Sequence, residues 1–440
     1  MGIRVCKFGG SSVADAEQLR KVRRLVESHP DRRFVVPSAP GRRRDGDEKV
    51  TDLLYRAHRA AARQEPLEPL FDAIARRFQE IVSDLELDCD LDPALAEAFD
   101  RIGDGASVEY TASRGEYLSG LVLSKLLDRP LIDPSEIIHF DETGRFLPEP
   151  TQRAVSARLT DAGRGVIPGF YGARPDGRIQ TFSRGGSDIT GAILSRGVGA
   201  ELYENWTDVS GLLMTDPRIV ESPRTIESLT YRELRELAYM GATVLHEEAI
   251  FPVREVGIPV HIRNTNDPEA PGTLISRGDG ETKPTGRITG IAGRKDFTIL
   301  ALEKTLMNAE IGFGKRLLAV LERHGISWEH MPSGIDTLSV VLKDALVEDR
   351  LEDLKHEIES ACQPDSLEIH RGIALIATVG RGMSHTPGTA ALLFGALARE
   401  GINIRMIDQG SSELNIIVGV ENEDFERTVR AIYEAFVEPS

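Results

Sequence analysis

Two patterns of apolar residues alternate along this chain, and their alternation limits the fold more than any other feature. Short runs rich in β-branched and aromatic residues predict buried strands at 34–38 and 131–133. Stretches with helical spacing predict amphipathic helices at 52–63, 67–87 and 116–127. Strands and helices that alternate in this way are typical of an α/β fold.

The chain length and one polar segment predict more than one domain. A chain of 440 residues is longer than a single hydrophobic core usually supports. The segment 278–289 contains 3 glycines and 1 proline among polar residues, as linkers do. We therefore expect one domain in residues 1–280 and a second region in residues 290–440.

Charge, cysteine content and hydropathy restrict the partners. The net charge of -17 is spread along the chain, which disfavours nucleic acid and favours a small metabolite as the ligand. The 3 cysteines are too scattered for a disulfide framework or a thiolate metal site. Because the sequence shows neither a secretory signal core nor a membrane-spanning stretch, we expect a cytoplasmic protein with no membrane partner.

Two glycine-rich segments are the strongest candidates for a functional site. Residues 7–12 read KFGGSS and residues 182–188 read FSRGGSD; each follows a strand pattern and precedes a helical one. Backbone amides and a cation at such a turn bind anions, and the two segments together suit a polyphosphate. A Walker-type P-loop is excluded, because GFGK at 312–315 lacks its first glycine and its terminal hydroxyl. Taken alone, KFGG also fits a strand-end turn with a solvated lysine.

Two stretches beyond the linker look alike. Residues 313–342 and 386–420 each contain a glycine-led helix, a turn of the type Gly-Ile-Ser or Gly-Ile-Asn, and alternating apolar residues. We interpret them as an internal duplication. The pattern resembles paired ACT domains, small modules that bind amino acids at their mutual interface, and this resemblance implies feedback control.

The glycine-rich segments belong to a longer series that resembles aspartate kinase. The matching segments, in chain order, are KFGGSSV at 7–13, GE at 115–116, GF at 169–170, RGGSD at 184–188, TDVSG at 207–211 with DPR at 216–218, and GA at 241–242 with VLH at 244–246. The resemblance extends from the first strand to the last ACT-like repeat. It implies the amino-acid kinase fold, an open αβα sandwich, followed by two ferredoxin-like (βαββαβ) ACT domains at about 296–370 and 371–440.

The same resemblance implies an enzyme that transfers the γ-phosphoryl group of ATP to the β-carboxylate of L-aspartate. The product, 4-phospho-L-aspartate, begins lysine, threonine and methionine biosynthesis in this family. The resemblance also implies feedback inhibition by lysine or threonine, and a homodimer or homotetramer formed through the ACT domains.

Phosphoryl transfer to a carboxylate needs no general base, since the acceptor is already ionised at neutral pH. Cations and amide donors should therefore dominate the site. By resemblance, Lys7 and the amides of Gly9 and Gly10 hold the β- and γ-phosphates, and Asp188 orients Lys7. From the pattern alone, Asp188 fits a helix cap equally well.

Aspartate recognition needs a cation for the α-carboxylate and an anion for the α-ammonium. Arg184 is the expected cation, because a guanidinium grips a carboxylate through two hydrogen bonds, and Glu116 is the expected anion. Alternatively, Arg184 forms a surface salt bridge, and Glu116 compensates the helix dipole at a helix N-terminus. By resemblance, other aspartate contacts fall at Thr51, Phe170 and Ser187.

The resemblance places the nucleotide against residues of several strand ends and loops: Ser38, Thr207, Asp208 and Arg218. An Asx-type turn is the alternative for the Thr-Asp pair. Mg²⁺ should bridge the phosphates mostly through water, so we expect no protein metal ligand. Two positions depart from the family pattern: Leu213 stands where many relatives carry tyrosine, and Thr243 where many carry lysine.

The effector contacts implied by resemblance lie in the second region: Met307, Glu310, Phe313, Gly314, Ser327 and Glu329. A carboxylate there would hold an amino acid's ammonium, and helix-start amides its carboxylate. Two rival hypotheses remain, namely an inactive kinase-like amino-acid sensor and a kinase that acts on glutamate or a nucleoside monophosphate.

Overall fold

The computed structural model describes residues 2–183, 185–242, 247–278 and 286–437. Its residues group into two compact units. The first unit comprises Met1–Leu212, Thr225–Tyr231 and Val244–Thr282, and the second comprises Leu213–Arg224, Arg232–Thr243 and Lys283–Ser440. No helix in the described residues is long and apolar enough to cross a membrane.

The strands and helices follow one another in the order given by their numbers. The described strands are β1 (Arg4–Phe8), β2 (Arg32–Pro37), β3 (Gly165–Val166), β4 (Tyr171–Ala173), β5 (Ile179–Thr181), β6 (Leu202–Thr207), β7 (Ser228–Thr230), β8 (Val260–Asn264), β9 (Thr273–Ser276), β10 (Gly290–Glu303), β11 (Thr337–Lys343), β12 (Ser366–Val379), β13 (Met406–Asp408) and β14 (Asn415–Glu421). The described helices are α1 (Ala16–Glu27), α2 (Val50–Ala62), α3 (Glu68–Asp84), α4 (Asp92–Gly103), α5 (Val108–Leu127), α6 (Pro148–Ala162), α7 (Gly186–Gly197), α8 (Tyr231–Tyr239), α9 (Phe251–Val256), α10 (Phe313–Arg323), α11 (Asp344–Val347), α12 (Leu351–Cys362), α13 (Thr389–Arg399) and α14 (Phe425–Val437).

The first unit is built on a seven-stranded sheet in the order β3-β2-β1-β6-β8-β9-β7. The strands from β3 to β8 in this order run parallel, whereas β9 is antiparallel to β8. The carboxyl ends of β1, β2, β6 and β8 therefore meet at one edge of the sheet. Ligands of open parallel sheets usually bind at such an edge.

The central strands direct alternate side chains to the two faces of this sheet. Cys6, Phe8 and Trp206 lie on one face, where they share a core with apolar residues of α1, α2, α3 and α5. Lys7 and Asn205 lie on the opposite face, where they contact α7. Helices cover both faces, which confirms the predicted αβα sandwich.

A buried carboxylate lies under the α1 side of the sheet. Glu204 of β6 has no exposed surface, and its carboxylate accepts from Arg32 Nε at 2.7 Å and from Trp206 Nε1 at 3.1 Å. Burial raises the pKa of Glu204, but the hydrogen bond and charge of Arg32 outweigh burial, so the pKa lies below its ordinary value. The pair is therefore ionised inside the core.

Two of the predicted helices are confirmed as α2 and α3, but α5 begins at Val108, eight residues before the predicted start. Ser107 caps α5 by accepting the Tyr110 amide at 3.1 Å. Gly115 lies inside α5, where a Cβ would stand 2.7 Å from Ala39 Cβ, so glycine allows the helix to pass close to Ala39. Glu116 is therefore in mid-helix, and the prediction that it opens a helix is wrong.

The predicted strand at 131–133 is also wrong, although 34–38 is confirmed by β2. Leu131 forms a single bridge to Val166, and no strand develops there. Prolines 130 and 134 flank the segment and cannot donate backbone hydrogen bonds, and Asp133 accepts the Ser135 amide in a turn.

The second unit contains an antiparallel sheet in the order β11-β10-β12-β14-β13. The first part of β10, residues 290–294, pairs with residues 375–379 of β12, whereas residues 297–303 pair with β11. Each half of the sheet has its own core: α10 and α12 cover one, and α13 and α14 cover the other. One long strand therefore serves both halves.

The two stretches predicted to be a duplication have matched backbone geometry. Gly312 and Gly388 precede α10 and α13 with φ of 87° in both, and Gly325 and Gly401 follow these helices with φ of 65° in both. Such positive φ values favour glycine. Most of the segment 278–289, which we predicted to be a linker, lies outside the described residues.

Candidate active site

An ion pair joins the end of β1 to the start of α7. Lys7 Nζ lies 2.6 Å from Asp188 Oδ1, and both side chains are largely buried. Asn205 of β6 donates to Asp188 Oδ1 at 3.0 Å and accepts from Lys7 Nζ at 3.4 Å. Lys7 and Asn205 are direct neighbours in the parallel β1–β6 register. The lysine is therefore fixed from two sides.

The turn after β1 is in close contact with the end of β2. Gly41 donates to the carbonyl of Gly10 at 2.8 Å, and Ser38 donates to the carbonyl of Phe8 at 3.0 Å. A Cβ at Gly10 would stand 2.9 Å from the Ala39 carbonyl oxygen, and one at Gly41 would stand 2.7 Å from Gly10 backbone. Glycine is required at both positions because the two strand ends touch through backbone.

Two details of the predicted phosphate site need correction. The Gly9 amide donates to the Trp206 carbonyl at 2.9 Å, so this amide is occupied within the fold and leaves Gly10 as the glycine donor of the turn. Asp188 is not an N-cap, because α7 begins at Gly186 with Gly185 as its cap residue. Asp188 lies in the first turn, where a carboxylate also favours the helix dipole.

Glu116 of α5 is buried beside the same strand end. Its carboxylate accepts from the Ala39 amide, and Oε2 has no hydrogen-bond partner within the described part of the chain. Burial raises the pKa of Glu116 to about 8, although the Ala39 amide and the charge of Arg114 act in the opposite direction. The guanidinium of Arg114 stacks on Tyr110 and Tyr117, 4.5 Å from each ring centre, and so does not neutralise Glu116.

The second glycine-rich segment contacts a residue with unusual backbone geometry. Phe170 has φ of 84°, and its amide donates to Thr190 Oγ1 of α7 at 3.0 Å. A Cβ at Gly186 would stand 2.4 Å from the Phe170 ring, and one at Gly169 would stand 2.5 Å from Ser187 Oγ. A bulky residue at positive φ is strained, and such strain is common at functional sites.

The remaining predicted contacts of the first unit lie at strand ends or a helix start. Ser38 directly follows β2, Thr207 is the last residue of β6, and Thr51 lies in the first turn of α2. Thr207 Oγ1 donates to Asp208 Oδ1 at 3.1 Å, a contact between two side chains and not the backbone contact of an Asx-type turn. Asp208 is exposed.

Four of the positions named from the sequence lie outside the described part of the first unit. Arg184 and Thr243 lie outside the described residues. Arg218 belongs to the second unit, where its exposed side chain pairs with Asp216 at 2.6 Å. Leu213 also belongs to that unit and is partly exposed.

Sequence reasoning missed two residues that hold the cluster in place. Asn205 would have been found from the strand register, which pairs it with Lys7. Arg77 of α3 is buried and donates to the Gly41 carbonyl at 3.1 Å and to Asp47 Oδ2 at 2.6 Å. Arg77 therefore holds the loop after β2 against the contact between Gly10 and Gly41. No local sequence motif identifies this arginine.

The predicted effector residues lie in the first half of the second unit. Phe313 opens α10 after Gly312 and is buried, with Met307 in the same core, whereas Gly314 has open space around its Cα. Glu310 pairs with Arg316 and, at 3.3 Å, with Lys304.

The two other predicted effector residues follow α10. Ser327 is exposed. Glu329 accepts from Tyr239 at 2.6 Å and pairs with Lys343 at 3.0 Å. Its carboxylate therefore already has a cation and a hydroxyl as partners.

The arrangement in the first unit suits the binding of an anion beside a second, ammonium-bearing group. Lys7 and the Gly10 turn present a cation and a backbone donor at the carboxyl edge of the parallel sheet. Glu116, on the other side of the β2 end, offers an unfilled carboxylate oxygen. No described group of three or more His, Cys, Asp or Glu side chains forms a metal cluster.

Comparison with known proteins gives a consistent result. A model of the amino acid kinase family matches residues 2–264, and a model of the ACT domain matches residues 376–436. Aspartokinase 3 of Bacillus subtilis (strain 168) is 38% identical over 451 residues, covering 99% of this chain and 98% of that protein.

Solved structures of similar proteins agree. The crystal structure of Clostridium acetobutylicum aspartate kinase is 50% identical, with a TM-score of 0.88 and coverage of 99% of this chain and 100% of the other. E. coli aspartokinase III in complex with aspartate and ADP (R-state) is 28% identical, with a TM-score of 0.72 and coverage of 98% and 99%. The same enzyme with lysine and aspartate (T-state) gives a TM-score of 0.70 at 28% identity, over 99% and 100% of the two chains. The chain therefore belongs to the aspartokinases, enzymes of the amino acid kinase family, and carries an ACT domain.

Proposed function

We propose that this aspartate kinase transfers the γ-phosphoryl group of ATP to the β-carboxylate of L-aspartate and forms 4-phospho-L-aspartate, the first intermediate toward lysine, threonine and methionine. The main support is the Lys7–Asp188–Asn205 cluster beside the Gly10 turn. The E. coli relative that was crystallised with aspartate and ADP supports the same pair of substrates.

Lys7 and the Gly10 amide receive the β- and γ-phosphates in this proposal, and Asp188 and Asn205 hold the lysine in position. Ser38, Thr207 and Asp208 contact the nucleoside, and Arg218 supplies a further cation. Mg²⁺ is the metal that would accompany ATP in this proposal, and the phosphates and water would supply most of its ligands. When bound, it offsets negative charge on the phosphates.

Aspartate binds next to the Gly10 turn in this proposal. Glu116 holds its α-ammonium and Arg184 its α-carboxylate, with Thr51, Phe170 and Ser187 around the side chain. Since the β-carboxylate is ionised at neutral pH, the site only has to align two anions and reduce their repulsion. Catalysis therefore depends on the fixed cation at Lys7 more than on any proton transfer.

We assign catalysis to residues 1–280 and regulation to residues 290–440, where the two halves of the antiparallel sheet form the ACT pair. Lysine is the proposed effector and threonine the second candidate. The E. coli relative that was crystallised with lysine and aspartate supports this order. The assembly in this proposal is a homodimer or homotetramer formed through the ACT region.

The first prediction concerns Lys7 and tests the reaction itself. With ATP, Mg²⁺, aspartate and hydroxylamine, the wild-type protein should form aspartyl hydroxamate, and Lys7→Met should lower kcat by roughly 10²–10³-fold because a fixed transition-state cation is lost. Lys125→Met, which changes an exposed lysine of the same unit, is the control.

Absence of hydroxamate above the blank from the wild-type protein would refute the reaction. Hydroxamate formed only with glutamate would favour another amino-acid kinase. An unchanged kcat in Lys7→Met would remove this lysine from the phosphate site.

The second prediction concerns the pH dependence of aspartate binding. The free enzyme holds Glu116 protonated below its pKa of about 8, and only the ionised form pairs with an ammonium. The value of kcat/KM for aspartate should therefore rise with pH up to about 8, by about tenfold per pH unit below that value. We call this rise the acidic limb of the profile, and kcat/KM for ATP should lack it.

Glu116→Gln should remove the limb and give a low, flatter profile, while Glu97→Gln, at an exposed position of α4, should keep it. A wild-type profile for aspartate that is flat between pH 6 and 8 would contradict this role of Glu116.

The third prediction concerns the effector. Lysine should lower the rate and raise the Tm of the wild-type protein at lower concentrations than threonine does, because a ligand that prefers one state shifts the population toward it. Glu329→Gln should weaken both responses to lysine, and Glu368→Gln, which alters an exposed carboxylate on β12, should not. No response to lysine in either measurement would reject lysine as the effector.

A further inference from the structure

A cavity of about 570 Å³ opens on the face of the first unit's sheet that carries α1. It lies between α1 and the loop that joins β8 to β9, and its floor includes the indole of Trp206 on β6. Lys7 and Asn205 lie on the other face of the same sheet, because side chains alternate along β1 and β6. The cavity is therefore separate from the Lys7–Asp188 cluster.

The described charges that line this cavity are mainly positive, although the chain as a whole has a net charge of -17. They are four cations, Lys21, Arg24, Arg32 and Arg263, and one carboxylate, Glu269. Charges beyond about 8 Å are largely screened at physiological ionic strength, so the local cations determine what the cavity attracts. An anion is the ligand that fits this lining.

The four cations differ in how far the protein already neutralises them. Arg32 is paired with buried Glu204, and Lys21 lies 3.1 Å from Glu17. Arg24 has no ion pair among the described residues, and the side chain is exposed at the cavity. Arg24 and Arg263 are therefore the lining cations that have no ion pair among the described residues.

Arg263 is the least satisfied of these groups. Its Nη2 donates to the Pro268 carbonyl at 2.5 Å, but Nε is buried and finds no acceptor among the described residues. Burial lowers the pKa of the guanidinium, and the charges of Arg32 and Arg4 lower it further, whereas the carboxylates of Glu204 and Glu269 act in the opposite direction. Arginine stays charged at neutral pH, so the buried Nε without an acceptor lowers the stability of the fold. A bound anion that accepts a hydrogen bond from Nε would remove this penalty.

The wall of the cavity also touches the phosphate turn. Thr265, which lines the cavity, shares a buried hydrogen bond of 2.8 Å with Ser12 and donates its amide to the Thr207 carbonyl at 2.8 Å. The cavity therefore adjoins two loops of the proposed nucleotide site from behind.

We propose that this cavity is a second anion site of the chain and that it binds a small phosphate-bearing molecule between α1 and the β8–β9 loop. Guanidinium forks match phosphate oxygens in pairs, and a lysine adds a point charge. The volume accommodates one metabolite-sized ligand. The site is independent of the proposed reaction, because none of its cations takes part in phosphoryl transfer.

Isothermal titration with inorganic pyrophosphate tests the proposal on the full chain with Lys7→Met as the background, since that substitution weakens phosphate binding at the catalytic site. We expect saturable binding in this background, weakened at least about tenfold by adding Arg24→Gln. Arg23→Gln, which changes the neighbouring arginine that pairs with Glu27 on α1, should leave the affinity unchanged.

Arg263→Lys provides a second variant that keeps the charge but loses the fork, and it should weaken binding as well. Repeating the titration with ribose 5-phosphate distinguishes a sugar-phosphate ligand from a free polyphosphate by which of the two binds more tightly. No binding of either probe at millimolar concentration, or equal affinity in the Arg24→Gln and Arg23→Gln proteins, would overturn the site.

Discussion

The ion pair between Lys7 and Asp188 is the interaction on which the candidate active site depends. It joins the end of the central strand β1 to the first turn of α7, and Asn205 of β6 contacts both partners. Residues of α7 and β6, far along the sequence from β1, therefore fix the ammonium group of Lys7. A flexible lysine side chain loses much rotamer freedom when its ammonium is held in place. Asp188 and Asn205 already hold it before substrate binds.

The backbone around this pair is shaped by contacts that only glycine allows. Gly10 and Gly41 bring the ends of β1 and β2 together, and Arg77 holds the loop that follows. Glu116 lies beside the same strand end and is kept protonated near neutral pH by burial. The site therefore has a fixed cation on one side and a neutral acid on the other, which becomes an anion when an ammonium is present to pair with it.

Much of this architecture could be predicted from the sequence, because strand and helix patterns and the glycine-rich turns are local features. The αβα sandwich is confirmed, and the structure contains an ion pair between Lys7 and Asp188 and matched backbone geometry in the two repeats. The errors arose where tertiary contacts override local signals. The helix was expected to start at Glu116, but Gly115 lies inside α5 and permits it to pass close to Ala39, and the Gly9 amide donates to the neighbouring strand.

Other parts of the site could not be predicted from local patterns. Asn205 depends on the β1–β6 register, and Arg77 acts across 36 residues on the Gly41 carbonyl. The basic cavity combines α1, β2, β6, β8 and the β8–β9 loop, so Arg263 joins Lys21, Arg24 and Arg32 from a distant part of the sequence. Neither spacing nor composition brings such residues together; only the fold does.

A double-mutant cycle on kcat tests most directly whether Lys7 and Asp188 act as one unit. The singles Lys7→Met and Asp188→Asn and the double variant are compared with wild type under saturating ATP, Mg²⁺ and aspartate. If Asp188 acts by holding Lys7, the double variant should be about as slow as Lys7→Met alone. Losses that multiply in the double variant would show that the two residues act independently and would contradict this account.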